Sequence, residues 1–363
     1  MKKSFSEFFP IPKFLEMRSV GLAISERSVH AIEFVKGPKG LRVGRFGLWK
    51  IPAGAIKGGY VNDKKVVTDV LRKLQKDLSI EFVSASLPEE KAYLFKTEFP
   101  KAGVTDLRET IEFRLEDNAP VSARDSLFDF AVIPGQPDSD HVDVSVSVLP
   151  TKVVEVYLEI IKDAGLKPVS LEVEATAISR AVVPAKNLGT FLIVNVGKVS
   201  TYLSIVSRGV VQFSITIPIG ADSLTAGIAK HFAVDMPAAK KIKEERGFVK
   251  AKENTEVFLS LVDAVSGIRD EVNKLSVYWQ THRNSPGATG KKIEKIILCG
   301  RDTSLVGFSE YLSTSVKIPV ELANVWQNAF SFDDFTPSIS FRDSLNYASA
   351  IGLALPDEIN MHV

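Results

Sequence analysis

One cysteine in 363 residues, Cys299, excludes an internal disulfide and a thiolate metal site, and fits a reducing compartment. It stands in the apolar run Ile296, Ile297, Leu298, Cys299 and reads as a core residue. Neither sign of charge dominates: 45 Lys and Arg face 44 Asp and Glu, a formal net charge of +1. Such a chain has no long-range field with which to steer nucleic acid or acidic lipid. No stretch approaches the roughly 20 consecutive apolar residues that cross a bilayer. The histidines show no metal-ligand spacing, and there is no tandem short repeat or low-complexity segment. The start, residues 1–17, has Lys2 and Lys3 but no sustained apolar region or small-residue cleavage site, so it is no secretory signal. What remains is 45% hydrophobic and 25% charged, an ordinary globular composition in a chain long enough for two core-bearing lobes.

Two segments about half a chain apart share one pattern. Residues 20–34 and 191–206 each read as an apolar strand, a tight polar turn and a second apolar strand. Duplicated hairpins of this kind cradle phosphate in two-lobed nucleotide-binding folds. Where such hairpins carry an aspartate for the metal, this chain has Ala23 and Asn195. It has the frame of an ATPase without much of the apparatus.

Between and after the hairpins, strands and helices alternate. A strand is expected over 41–51 and a helix over 63–78, with Val66, Val67, Val70, Leu71 and Leu74 on one face and Asn62 or Asp63 as its cap. Strands follow over 82–87 and 92–99. The next helix, 106–118, ends at Pro120, with Leu107, Ile111, Phe113 and Leu115 available for burial. A strand pair over 129–133 and 141–149 completes a block that looks inserted. Helix 151–164 stops at Gly165; a strand over 167–173 and a helix over 175–183 lead to the second hairpin. Beyond it come a strand over 210–219, helices over 220–231 and 237–246, and a long helix over 255–281. The polar loop 284–290, a buried strand over 295–299, a helix, a short strand over 320–322 and a final helix over 342–355 close the chain. This is an α/β architecture with mixed sheets and two related lobes around a cleft.

In that order the segments resemble the actin-like proteins of bacterial type IV pilus assembly, the PilM family, relatives of the division protein FtsA. The resemblance runs from Val20 onward and is carried by both hairpins, by Arg114 to Pro120, by Ala164 to Glu174, by Ile217 to Gly220 with Leu224 and Ile228, and by the ending around Ile318 and Tyr347. It implies a two-lobed actin-like (RNase H-like, duplicated) fold with a small α+β subdomain inserted in the first lobe. The implied division is a tail at 1–17, a first lobe at 18–187 with the insert at about 82–165, a second lobe at 188–336, and a C-terminal helix at 337–363 returning to the first lobe. It also implies a partner: the short N-terminal cytoplasmic peptide of a PilN-like membrane protein, captured in a groove beside the inserted subdomain. The expected location is cytoplasmic, peripheral to the inner face of the cytoplasmic membrane, among other pilus platform proteins.

The same resemblance locates a degraded ATP site. The family's first turn runs Asp, Ile, Gly, three small hydroxyl residues, Val and Lys. Here Ala23, Ser25 and His30 replace the carboxylate, the glycine and the lysine, Glu26 and Arg27 intrude, and Ser28 alone matches. The second turn keeps Gly197 but has Asn195 for aspartate and Lys198 for a small residue. The adenosine-side turn keeps Gly300, followed by Arg301 and Asp302. Lys243 matches the family's lysine, whereas Lys240 stands where its glutamate does, and Glu174 matches a glutamate that faces the cleft. Asparagine can hold a water but lacks the charge that organises Mg²⁺. Core strands persist while all three ligand-contacting turns depart, so the expectation is weak or absent nucleotide affinity, no resident cofactor or metal, and no productive hydrolysis.

For the peptide groove, the helix ending at Pro120 offers Arg114 and Glu116. Three functions compete: a scaffold that recognises a membrane-protein peptide; a working actin-like ATPase or sugar kinase, which needs a carboxylate near position 23 or 195; and the cytoplasmic part of a type II secretion protein, which expects a membrane span downstream. An FtsA-like division protein is expected to end in an amphipathic helix, and residues 356–363 are short and acidic for that role.

Overall fold

The computed structural model describes residues 19–100, 106–135, 140–281 and 292–355. The aromatic segment 1–17, the loop 284–290 and the acidic end 356–363 lie outside them. Two five-stranded sheets form the centre. In the first, the order is Lys167–Val173, Phe82–Leu87, Val20–Ile24, Ser28–Gly37, Gly40–Lys50. In the second it is Val320–Leu322, Lys295–Gly300, Thr190–Val196, Thr201–Ser207, Val210–Ile217. Each is a three-stranded antiparallel meander whose first strand also pairs in parallel with a later strand. The two sheets therefore have one topology, laid down twice. That duplication, faintly visible in the sequence as two hairpins, makes the fold two-lobed.

The central strands are apolar on both faces because both faces are covered. Thr190–Val196 is buried throughout. Alternation divides it: Phe191 and Ile193 join the core that also contains Val20, Leu22, Leu71 and Ile351, while Leu192, Val194 and Val196 join the second-lobe core. The lobes thus share a packed layer. Cys299 belongs to it, fully buried as expected, and burial pushes its thiol well up.

Helix Thr255–Thr281 presents Val257, Leu261, Val265, Ile268, Val272 and Leu275 as one stripe to the second core. Helix Lys64–Leu78 starts where the Asp63 carboxylate accepts the Val66 amide, and it buries Val67, Leu71 and Leu74. The expected final helix is instead a short turn of helix, Phe341–Ser344, then a 3₁₀ turn, then helix Ala348–Ala354. Close approach explains its placement: a Cβ on Gly352 would lie 1.7 Å from the Ala177 carbonyl oxygen, and one on Gly21 1.9 Å from that of Ala350. Only glycine lets this helix lie against Glu174–Val182 and Val20–Ile24.

Within the block 82–165, the separate sheet uses only residues 93–150, in the order Tyr93–Pro100, His141–Pro150, Ser126–Val132. Phe82–Leu87 pairs in the first-lobe sheet, and helix Thr151–Asp163 packs into the first-lobe core through Val153, Tyr157, Ile160 and Ile161. A small core of Phe99, Ile111, Leu115, Ala119, Val144, Val146 and Val148 holds the subdomain. The single helix expected over 106–118 is broken at Arg114 (φ −101°, ψ 4°), whose amide bonds Ile111 in a tighter three-residue closure. Phe113, expected to be available for burial, is 82% exposed.

Candidate functional site

Three turns from two lobes meet at one cleft. Its walls include Ala23, Ser25, Arg27, Ser28 and His30 from the first hairpin, Asn195, Gly197 and Lys198 from the second, Gly300 and Arg301 from the third turn, and Glu174. Counting the mouth that merges with solvent, it measures about 660 Å³.

Each turn is locally self-held. In the first, the Ser25 amide and hydroxyl both donate to the Ser28 carbonyl at 2.9 Å, and the two hydroxyls lie 3.2 Å apart. In the second, the Gly197 amide donates to the Ser200 carbonyl at 2.9 Å, and a Cβ on Gly197 would lie 2.7 Å from that oxygen. The carbonyls of Gly197 and Lys198 accept the amides of Ala221 and Asp222, which anchors this turn to the start of helix Ala221–Phe232. In the third, Gly300 has φ +86°, and a Cβ there would meet Asn195 Oδ1 at 2.3 Å. The next amide, Arg301, donates to Val196 at 2.6 Å.

Six of the seven residues expected at the nucleotide site are therefore on the cleft wall: Ser25, Ser28, Asn195, Gly197, Lys198 and Gly300. Lys243 is not. Its side chain is buried, pairs with Asp302, and donates to Thr225 Oγ1 at 2.7 Å and to the Ala221 carbonyl at 3.2 Å. Its ammonium braces the third turn from behind, where Asp302 takes a left-handed backbone (φ 61°).

The donor set does not fit a magnesium ion. Ala23 offers no side-chain oxygen, and Asn195 offers one neutral amide that packs against Gly300. Glu26 turns to the Gly58 amide. Burial, reinforced by Glu90 and Glu89, pushes Glu174 up to about 8, so it is mostly protonated at neutral pH. Burial likewise raises Glu89, which accepts the Ala175 amide at 2.9 Å, and Glu90, which accepts the Tyr202 hydroxyl at 2.7 Å across the lobes. Nothing in the sequence pattern marks Glu89 and Glu90; a Pro-Glu-Glu-Lys stretch reads as a solvated turn. His30, at the position of the family's lysine, stands edge-on to Tyr347 at 4.9 Å, and burial followed by the Arg301 charge lowers it to about 3.

Away from the cleft, Arg114 lies 5.2 Å over the Phe99 ring, and Glu116 Oε1 accepts the Ser122 hydroxyl at 3.2 Å and the Ala123 amide at 3.0 Å. Both hold their own subdomain, with Phe113 projecting beside them. Among the described residues, Glu98, His141 and Asp143 bring ligand atoms within 4.8 Å of one another, but Lys96 already pairs with Asp143 at 2.8 Å.

Two sheets of identical topology with hairpin turns facing one cleft define the actin-like class. Solved structures agree. The PilM–PilN type IV pilus biogenesis complex is similar with a TM-score of 0.75 at 19% identity, over 93% of this chain and 98% of that one. The ethanolamine utilization protein EutJ of Carboxydothermus hydrogenoformans gives 0.56 at 15%, over 95% and 91%. MreB5 of Spiroplasma citri bound to ADP gives 0.54 at 16%, over 86% and 94%. No curated protein matches the chain in sequence. The family model described as type IV pilus assembly protein PilM matches residues 21–358, and the chain belongs to that family.

Proposed function

We propose that this protein is a cytoplasmic scaffold of a type IV pilus inner-membrane platform. It binds the N-terminal cytoplasmic peptide of a PilN-like membrane protein and does not turn over ATP. The observation that carries the reading is family membership across residues 21–358, joined to a cleft whose turns keep their backbone but have lost the metal-binding carboxylates. The solved PilM–PilN complex is its structural counterpart. Among the described residues no helix is long and apolar enough to cross a membrane.

The docking surface is the face of the inserted subdomain that carries Phe113, Arg114 and Glu116. A ring 82% exposed beside a cation and a carboxylate supplies an apolar anchor with polar neighbours, the composition from which peptide grooves are built. Titration of the full chain with the N-terminal peptide of a neighbouring PilN-like protein tests this. Binding is expected, weakened about tenfold or more by Phe113→Ala with no loss of thermal stability, since the ring is not in a core. Unaltered affinity in that variant removes the surface from the reading. Steady release of phosphate from Mg²⁺–ATP removes the scaffold-only function.

A further inference from the structure

We propose that the interlobe cleft is a metal-independent site for a phosphate-bearing anion, held by Arg27, Lys198 and Arg301. This deepens the reading above and rests on it in one respect, that the cleft no longer organises magnesium. Each cation sits on a different turn, and each is half-buried in the cleft wall. Among the described residues none of the three side chains forms an ion pair or hydrogen bond. Half-buried cations elsewhere in the molecule behave differently: Arg269 holds Asp270 at 2.7 Å and Lys96 holds Asp143 at 2.8 Å. Burial, followed by Arg27, Arg301 and Lys50, pushes the Lys198 ammonium down against the pull of Asp222, so the positive charges of this wall disfavour one another. An arrangement of unpaired like charges is relieved by an anion between them.

Countercharge on the wall is scarce. The carboxylates that line the cleft are Glu174, which is mostly neutral, and Glu26, which accepts the Gly58 amide, against three cations.

A second, independent feature points to the same space. His30 Nε2 and Ser349 Oγ are buried, with their residues 8% and 4% exposed, and neither has a hydrogen-bond partner. Both residues line this cleft. A buried polar atom without a partner is uncommon and destabilising, and a ligand oxygen between the lobes supplies the partner both lack. Arginine forks suit the paired oxygens of phosphate, and lysine adds a point charge. Gly197 and Gly300 keep the neighbouring backbone free of side chains. The cations take over the charge that a metal supplies in phosphate sites built around carboxylates. Because Arg27 belongs to one lobe and Lys198 and Arg301 to the other, the anion also ties the lobes together.

The test is calorimetric titration of the full chain in EDTA with inorganic phosphate, pyrophosphate and ADP, at fixed ionic strength. Saturable binding of pyrophosphate is expected without metal, falling with added salt and at least tenfold weaker in Arg301→Gln and in Lys198→Gln. Unfolding temperatures of the unliganded variants show whether they fold. Equal affinity for pyrophosphate and ADP assigns the ligand to phosphate alone; clear preference for ADP assigns it to a nucleotide held without metal. No binding in EDTA, binding that requires Mg²⁺, or binding untouched by both substitutions overturns the proposal. None of these results bears on peptide docking, which is read in a separate titration.

Discussion

Replacing Glu174 by glutamine removes a proton-linked destabilisation from the cleft. In the folded chain this carboxyl titrates at about 8 instead of its ordinary 4.5, because burial and then Glu90 and Glu89 disfavour its charge. Below pH 4.5 the group is protonated whether the chain is folded or not, and it adds nothing to the pH dependence. Between 4.5 and 8 the unfolded chain releases a proton that the folded chain retains, so stability falls as pH rises; above 8 the full penalty applies. At about 1.36 kcal/mol per unit the displacement corresponds to roughly 5 kcal/mol. Glu174 is half-buried and faces water in the cleft, so screening reduces a working figure to about 2–3 kcal/mol. Urea unfolding followed by circular dichroism at pH 5, 7 and 8.5 measures it. Wild type is expected to lose stability across that range. Glu174→Gln should match wild type at pH 5 and exceed it by about 2–3 kcal/mol at pH 8.5. Parallel pH profiles, or a variant weaker than wild type at pH 8.5, would refute the reasoning. Glu89 and Glu90 are raised in the same direction, so some slope persists in the variant.

Two further outcomes follow from packing and charge. Asp302→Ala strands the buried Lys243 ammonium, and denaturant unfolding should show a loss of about 3–5 kcal/mol, because breaking a buried pair leaves an uncompensated charge. Lys243→Met in the same background should recover part of that loss. Gly352→Ala places a methyl 1.7 Å from the Ala177 carbonyl oxygen, so helix Ala348–Ala354 must shift away from Glu174–Val182; a drop in melting temperature of several degrees or more is expected.

Much of the fold was legible in the chain. The long helix is found over Thr255–Thr281, the span expected from its apolar spacing, and strands over 82–87, 167–173 and 320–322 lie where alternation or apolar runs placed them. Six of seven expected cleft residues came together because hairpin turns announce themselves locally through Ser, Gly and Asn. Lys243 did not join them. Its charge was visible, but the carboxylate that takes it, Asp302, lies 59 positions away. Phe113 misled for a related reason: apolar spacing on a helix reports which residues could be buried, and the break at Arg114 decided which were.

Residue order by itself determined the strand and helix periods, the repeated hairpin, and the absence of carboxylates at positions 23 and 195, because each is a property of neighbouring side chains. Only the assembled lobes decided that Glu89 and Glu90 crowd Glu174, that His30 and Ser349 lack partners, and that the charges of Arg27 and Arg301 act on Lys198. Those facts depend on distances between segments far apart in the chain and on the exclusion of water between them. Both arise only when two separately patterned sheets pack through a shared apolar layer.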